Sequence, residues 1–405
     1  VPQSEPDGPL AGIRVVDLTL ALAGPAASQR LADLGADVIK VEPVPDGEWA
    51  RSHPIKNAFL GGQATTYLSF NRNKRSLAVD LKAPGGRDLM ERLLAQSDVL
   101  LTNYRTGALE RLGLDGASTL ERHPTLIHAA VNGYGLEGPD RDRPGQDLLL
   151  QAYSGLTWMS GRAGGPPHPS PLFVADVITA HAVTEGVLAA LIERSRTGRG
   201  RIVSVSMLHT LLDSMLQELV TFLNNGVEPT RTEEPLAHVF INPPYGFFPT
   251  SDGWMAIAMA DPVALATALE SAALAAYPSW AAAAEDRDGV YRAVAAETPR
   301  RTTAEWLAIL GPAGIWAGPV HTYAQITEHP QVVANGMIGS FELPGHGTVR
   351  VPSNPIRMVG HETPMRPPPA VGEHGREIAL SLGLDEAAVD ELLAAGVMVV
   401  TGAPA

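Results

Sequence analysis

Short runs rich in β-branched residues alternate with helical patterns of about ten residues through the first half of the chain, and this rhythm constrains the fold more than any other feature. Gly12–Thr19 (GIRVVDLT) reads as a buried strand and Pro25–Gly35 (PAASQRLADLG) as a helix closed by glycine. Ala36–Glu42, Ser76–Leu81, Asp98–Thr102 and Leu126–Val131 are further strands, with a helix over Gly85–Ala95. Strands separated by helices of this length cannot form tight hairpins; they pair in parallel, with helices on both faces. The pattern therefore predicts an α/β fold, with a doubly wound, Rossmann-like large domain.

A long helix follows over Asp176–Arg196, then a strand over Arg201–Val205 and another helix over Leu208–Leu223. After about Gly226 the alternation breaks: Pro243–Phe248 is turn-rich, Trp254–Met259 reads as a strand, and alanine-rich stretches look helical. Near the end, Met337–Val351 reads as a hairpin turning at Pro344–Gly347, and Asp385–Ala395 as a helix. At 405 residues the chain is long enough for more than one domain at about 150 residues each. The expected division is 1–226 for the large domain, 227–325 for a smaller α+β domain, and 326–405 for a segment returning to the large one.

A formal charge of −14 makes a general nucleic-acid partner improbable, yet a few local cations would suffice for a small anion. The chain has no cysteine, which excludes disulfides, thiolate metal sites and a cysteine nucleophile. No two histidines stand three or four residues apart, so no metal site is expected. No signal peptide or run of about 18 apolar residues is visible, and a cytoplasmic protein without a membrane partner is the expectation.

One G-x-G-x-x-G match occurs at Gly133, Gly135 and Gly138, but Pro139 and Pro144 follow instead of a helix. A dinucleotide fingerprint requires the free N–H groups of a helix start at that point, so this is read as a glycine-rich loop. Basic residues cluster at Asn71–Arg75, Lys82, Arg105 and Arg111, near predicted strand ends. They are readable as solvated turns or as a rim for a polyanionic ligand. In Gly145-Gln146-Asp147-Leu148-Leu149-Leu150-Gln151, Asp147 precedes an apolar helical run. It is either a helix N-cap or a carboxylate nucleophile, and Asp176, which opens the long helix, carries the same ambiguity.

Taken together, GIRVVDLTLALAGPAASQRLADLGADVIKVE, NRNKRSLAVDLK, DVLLTNYRTGALERLGL, GQDLLLQAYSG, TGRGRIVSVSM, AGPVHTYAQITEHPQVVANGM and PPAVGEHGREI resemble, in that order, the class III (CaiB/BaiF) CoA-transferases. That family includes formyl-CoA and carnitine CoA-transferases and the 2-methylacyl-CoA racemases. The resemblance implies an enzyme that moves CoA from an acyl-CoA to a carboxylic acid acceptor, with coenzyme A entering as substrate and no metal. It assigns the nucleophile to Asp147, through aspartyl-anhydride and aspartyl-CoA intermediates, with Gly135 as a backbone donor to the transient oxyanions. It places Leu22, Ala23, Arg75, Val79, Asp80, Leu81, Lys82, Asn103, Tyr104, Arg105, Arg111, Gly133, Gly135 and Gln146 around the CoA. It also implies a two-domain subunit in an interlocked homodimer.

The racemases carry His-Asp where this chain has Gln146-Asp147; a neutral amide cannot accept an α-proton, so transferase is favoured and racemase is the alternative. Asp176 matches the racemases' second acid. The glycine run of formyl-CoA transferase is missing, with Asn242–Gly246 in its place, and Leu22 replaces a glutamine; a larger or more apolar acyl group is expected.

Overall fold

The computed structural model describes residues 8–402, which divide into two compact units. The first comprises residues up to Asp147, Phe173–Thr210 and Pro330 onward; the second comprises Leu148–Leu172 and Leu211–His329. The C-terminal segment thus belongs with the first unit, as do the N-terminal strands. Residues 148–172 and 211–226, expected in the large domain, cluster with the second unit.

The first unit is built on strands β1 (Arg14–Leu18), β2 (Asp37–Glu42), β3 (Arg75–Val79), β4 (Val99–Thr102), β5 (Ile127–Asn132), β6 (Ile202–Ser206) and β7 (Met398–Val399). Their spatial order is β7-β3-β2-β1-β4-β5-β6, parallel throughout except for β7, which pairs antiparallel with β3. Both faces of the central strands are covered, so they carry continuous apolar residues: Val15, Val16, Ile39, Leu77, Leu100 and Ile127 are buried. The unit also holds helices α1 (Ala23–Asp33), α2 (Pro84–Ala95), α3 (Thr106–Leu112) and α5 (Val174–Thr197), and it ends its first segment at Asp147, the first residue of α4 (Asp147–Tyr153).

Helix α5 has the length and hydropathy of a membrane span. Its Ala175, Thr179, Ala180, Val183 and Val187 are nevertheless buried, and it packs along α1 as a core helix.

The sheet runs outward from β1 in two directions, through β2 on one side and β4 on the other. The chain leaves β1 toward β2 and leaves the adjacent β4 toward β5, so the connections at their C-terminal ends diverge and open a crevice, the place where open α/β sheets bind ligands.

The second unit holds a three-stranded antiparallel sheet of Tyr245–Pro249, Trp254–Ala258 and Trp316–Pro319 with helices around it. Phe248, Met255, Ile257, Leu265, Val290, Val294 and Trp306 form its core, and the Trp306 indole N–H donates to the Thr298 carbonyl at 2.7 Å. The strand at Tyr245–Pro249 occupies a stretch expected to be turns. Its glycine and terminal proline are tolerated because it is an edge strand. The helix expected over Leu208–Leu223 is two, Met207–Ser214 and Leu216–Asn225, divided at Met215.

Candidate active site

The crevice holds two cavities, both walled by the first unit. One, of about 380 Å³, is lined by Leu18, Val41–Val44, Val79–Lys82 and Tyr104, with Leu109 and Leu112 of α3. Its apolar walls with Asp80 and Lys82 at the edge suit a planar base carrying polar groups. The other, of about 520 Å³, is lined by Ala21, Ala23, Asn103–Arg105, Arg111, Asn132, Gly133, Arg141–Gly145 and Asp176. Tyr104 borders both, so together they can accommodate an elongated ligand.

The second cavity is rich in cations. Arg141 pairs with Asp142 at 3.3 Å and Arg143 with Asp140 at 3.1 Å. Arg105 and Arg111, at the two ends of α3, form no ion pair among the described residues and keep their full charge for a ligand.

The loop joining β1 to α1 forms the opposite wall. Asn103 clamps it at Leu20, accepting from the backbone N–H at 2.8 Å and donating to the carbonyl at 2.7 Å. Ala21 follows with φ +67°, a left-handed conformation unusual for a residue with a Cβ. Helix α1 begins at Ala23, so its first N–H groups and the positive end of its dipole face the cavity.

Two carboxylates converge at the starts of α4 and α5. Asp147 is buried, and its Oδ2 accepts the Asp176 backbone N–H at 3.1 Å, supporting the first turn of α5. Asp176 lines the cavity itself. Burial, and next the negative charge of Asp147, push the Asp176 carboxyl up to about 7; the neighbouring Ala23 N–H opposes this only partly. One carboxylate is thus enclosed and the other is poised at the wall of the cavity near neutrality.

Gly133 and Gly145 pass so close that a Cβ on either would lie within 2.7 Å of the other's Cα. Backbone cannot yield as a side-chain tip can, so Gly145→Ala is expected to cost about 1–3 kcal/mol, read as a lowered urea midpoint.

Of the residues anticipated around the CoA, Val79, Asp80, Leu81, Lys82 and Tyr104 line the first cavity, and Ala23, Asn103, Tyr104, Arg105, Arg111 and Gly133 the second. Leu22 lies between cavity residues Ala21 and Ala23. Gln146 is exposed beside Asp147. Arg75 is a correction. It opens β3, at the opposite end from Val79, and its guanidinium is held by Asp37 at 2.6 Å and Glu377 at 3.0 Å.

The rest of that basic turn is also structural: Arg72 pairs with Asp33, and Lys74 is buried against Asp17 at 2.9 Å. Gly135 is outside the cavity lining, and its N–H donates to Asn132 Oδ1 at 2.6 Å, which removes it as an oxyanion donor in this conformation. Ala21, Asn132, Arg141, Arg143 and the Glu42–Val44 turn were not anticipated. Pro43 directly after the strand that Glu42 closes was the available signal for the last of these.

A mainly parallel sheet with an arginine-lined cavity at its switch point, an apolar pocket beside it and an adjoining carboxylate pair make up a candidate site of the kind that α/β enzymes carry. The chain belongs to CoA-transferase family III, whose sequence model matches residues 10–375. It is 32% identical over 407 residues to the succinyl-CoA:glutarate CoA-transferase of Mus musculus, covering 98% of this chain and 92% of that protein. It is 33% identical over 398 residues to a probable fatty acyl-CoA transferase of Mycobacterium tuberculosis, covering 92% and 98%. Among solved structures, a CaiB/BaiF family protein from Brucella suis superposes with a TM-score of 0.82 at 31% identity, covering 93% of this chain and all (100%) of that one.

Proposed function

We propose that this CoA-transferase exchanges CoA between two carboxylic acids by a covalent relay on Asp176, with Asp147 as its buried partner. The observation that carries the reading is the placement of Asp176 on the wall of the cation-lined cavity, while Asp147 is enclosed. This departs from the sequence expectation, which gave the covalent role to Asp147. A nucleophile must reach the thioester carbon, and burial denies Asp147 that reach.

The Asp176 carboxylate attacks the thioester carbonyl, the C–S bond breaks, and CoA leaves as thiolate from a mixed anhydride. The thiolate then attacks the aspartyl carbonyl, releasing the donor acid and leaving an aspartyl-CoA thioester. The acceptor carboxylate attacks that thioester, CoA departs again, and a second anhydride forms. Thiolate attack on the acceptor's carbonyl completes the new acyl-CoA and restores Asp176. Dividing the exchange in this way replaces one difficult substitution by steps between activated acyl groups. The apolar pocket beside Tyr104 holds the nucleoside, and the arginines hold the phosphates.

The printed substrates of the relatives differ, from glutarate to fatty acyl groups. A matrix of donor thioesters and acceptor acids, read by mass spectrometry of the acyl-CoA products, tests the reading. Product acyl-CoA is expected only when donor and acceptor are both present; hydrolysis alone in every pairing would refute transfer. Racemisation is the second reading, favoured by the near-neutral Asp176 carboxyl, which suits a proton carrier. It requires solvent deuterium to enter the α-carbon of a 2-methylacyl-CoA without any acceptor.

The working form is proposed to be a homodimer. In the second unit, Leu216, Val220 and Leu223 form an exposed stripe at i, i+4 and i+7 on helix Leu216–Asn225. V220E/L223E is expected to yield a folded species of half the mass in sedimentation; an unaltered mass would place the interface elsewhere.

A further inference from the structure

Beneath the β1–α1 loop lies a group of buried charges that the relay does not use. Asp17, Lys40 and Glu48 are almost fully enclosed, at 0%, 0% and 2% exposure. Lys40 Nζ stands 3.0 Å from Glu48 Oε1 and 3.9 Å from Asp17 Oδ2, and donates to the Thr19 carbonyl at 3.0 Å. Lys74 closes the group on Asp17 at 2.9 Å. Opposite charges 3 to 4 Å apart in an enclosed setting attract strongly and hold one another in fixed places.

The remaining oxygen of Glu48, Oε2, accepts the Ala21 backbone N–H at 3.0 Å. Ala21 is the residue at φ +67°, and it lines the cavity with Ala23 and Asp176. A non-glycine residue leaves that conformation unless its surroundings hold it there. The Asn103 clamp acts one residue earlier, on Leu20, so the Ala21 N–H is the point at which Glu48 acts on the turn.

We infer that Glu48 is a positioning residue for the transfer reaction, holding Ala21 in its left-handed conformation so that the Ala23 N–H at the start of α1 faces the reacting carbonyl at Asp176. This rests on the proposed relay through Asp176. When CoA thiolate adds to the aspartyl carbonyl, its oxygen takes on negative charge until the bond to the departing carboxylate breaks. A backbone donor already aimed at that oxygen stabilises the charge without reorganisation. The same donor faces the Asp176 carboxyl in the resting enzyme, where it partly offsets the burial that disfavours the anion.

Glu48→Gln and Glu48→Asp disturb the contact in different ways. The first removes the charge that Lys40 faces; the second keeps the charge and withdraws it by one methylene. Both are expected to lower kcat at least tenfold while KM for acyl-CoA changes less than threefold. Adding Ala21→Gly to either is expected to restore much of the lost kcat, because glycine adopts φ +67° unaided. A role confined to fold stability would not be rescued this way, since glycine adds chain entropy to the unfolded state. Wild-type kcat in either folded Glu48 variant, or no recovery with Ala21→Gly, would overturn the inference.

Hydrogen exchange in the unaltered enzyme gives a measurement independent of whether the variants fold. The Ala21 amide is expected to be protected comparably to β1, and rapid exchange would count against the contact. Hydroxylamine trapping in the wild-type enzyme separates the two layers. Absence of label on Asp176 defeats the relay itself, whereas labelling at an equal rate in wild type and Glu48→Gln defeats only the positioning role.

Discussion

Asparagine at position 176 is expected to abolish CoA transfer, by about four orders of magnitude or more in kcat/KM, and to remove the hydroxylamine-sensitive adduct that wild type forms with acyl-CoA. Asp147→Asn is expected to behave differently: the adduct still forms on Asp176, and the pH profile moves. The nucleophile is the ionised carboxylate, so wild-type kcat/KM should fall as pH drops through about 7, where Asp176 takes up its proton. Burial is the first cause of that elevated value and the Asp147 charge the second.

Removing the charge leaves burial in place, so the acid limb of Asp147→Asn should shift below 7 without returning to the ordinary carboxylate range. Stability should follow the same linkage. The native carboxyl ionises near 7 and the unfolded one near 3.8, so the native state binds the extra proton between those values and loses stability as pH rises through them. Asp176→Asn should therefore unfold at a higher temperature than wild type at pH 8, with the gap closing toward pH 4. An adduct found on Asp147, with Asp176→Asn still labelled, would exchange the two roles.

How much of this was legible depends on the range of the interaction. Strands β1 to β5 were readable because each is largely buried and carries its own apolar run, and β6, though at the sheet edge, keeps a β-branched run at Ile202, Val203 and Val205. The edge strand Met398–Val399 was not, since two residues have no periodicity and their partner, Ala78–Val79, lies more than 300 positions earlier. Charge gave the most misleading signal. Asn71–Arg75 has the composition of an anion-binding rim, yet Arg72, Lys74 and Arg75 are each matched to a distant aspartate: Asp33, Asp17 and Asp37. Nothing local distinguishes them from Arg105 and Arg111, which are similar in type and do line the cavity.

The two aspartates illustrate the same limit. Each precedes an apolar helical run in the sequence, so local pattern gives both the same capping role; in the structure Asp147 is the first residue of α4 and Asp176 the third of α5, and only the hydrogen bond from the Asp176 N–H makes one the support of the other. Resemblance located the neighbourhood, but which carboxylate faces open space is a tertiary property.

That difference among arginines sets the second large effect. Arg105→Ala and Arg111→Ala are each expected to raise KM for acyl-CoA by roughly 10–150-fold, as loss of a charge-assisted phosphate contact worth about 1.5–3 kcal/mol requires. Their kcat should change little, because the phosphates lie away from the reacting bond and are held equally in ground and transition states. Arg141→Ala should have a smaller effect, since Asp142 already offsets its charge. With a net charge of −14, the protein as a whole repels a phosphorylated ligand, so these two local cations must overcome an unfavourable field. Salt screens both that repulsion and the local attraction, so the arginine contribution should show as a difference: the ratio of each variant's KM to that of wild type should fall as ionic strength rises. An acyl-pantetheine thioester, which lacks the phosphates, provides the control: wild type and both variants should use it with the same KM. A penalty on acyl-pantetheine equal to that on acyl-CoA would mean that the arginines hold the loop and not the phosphates.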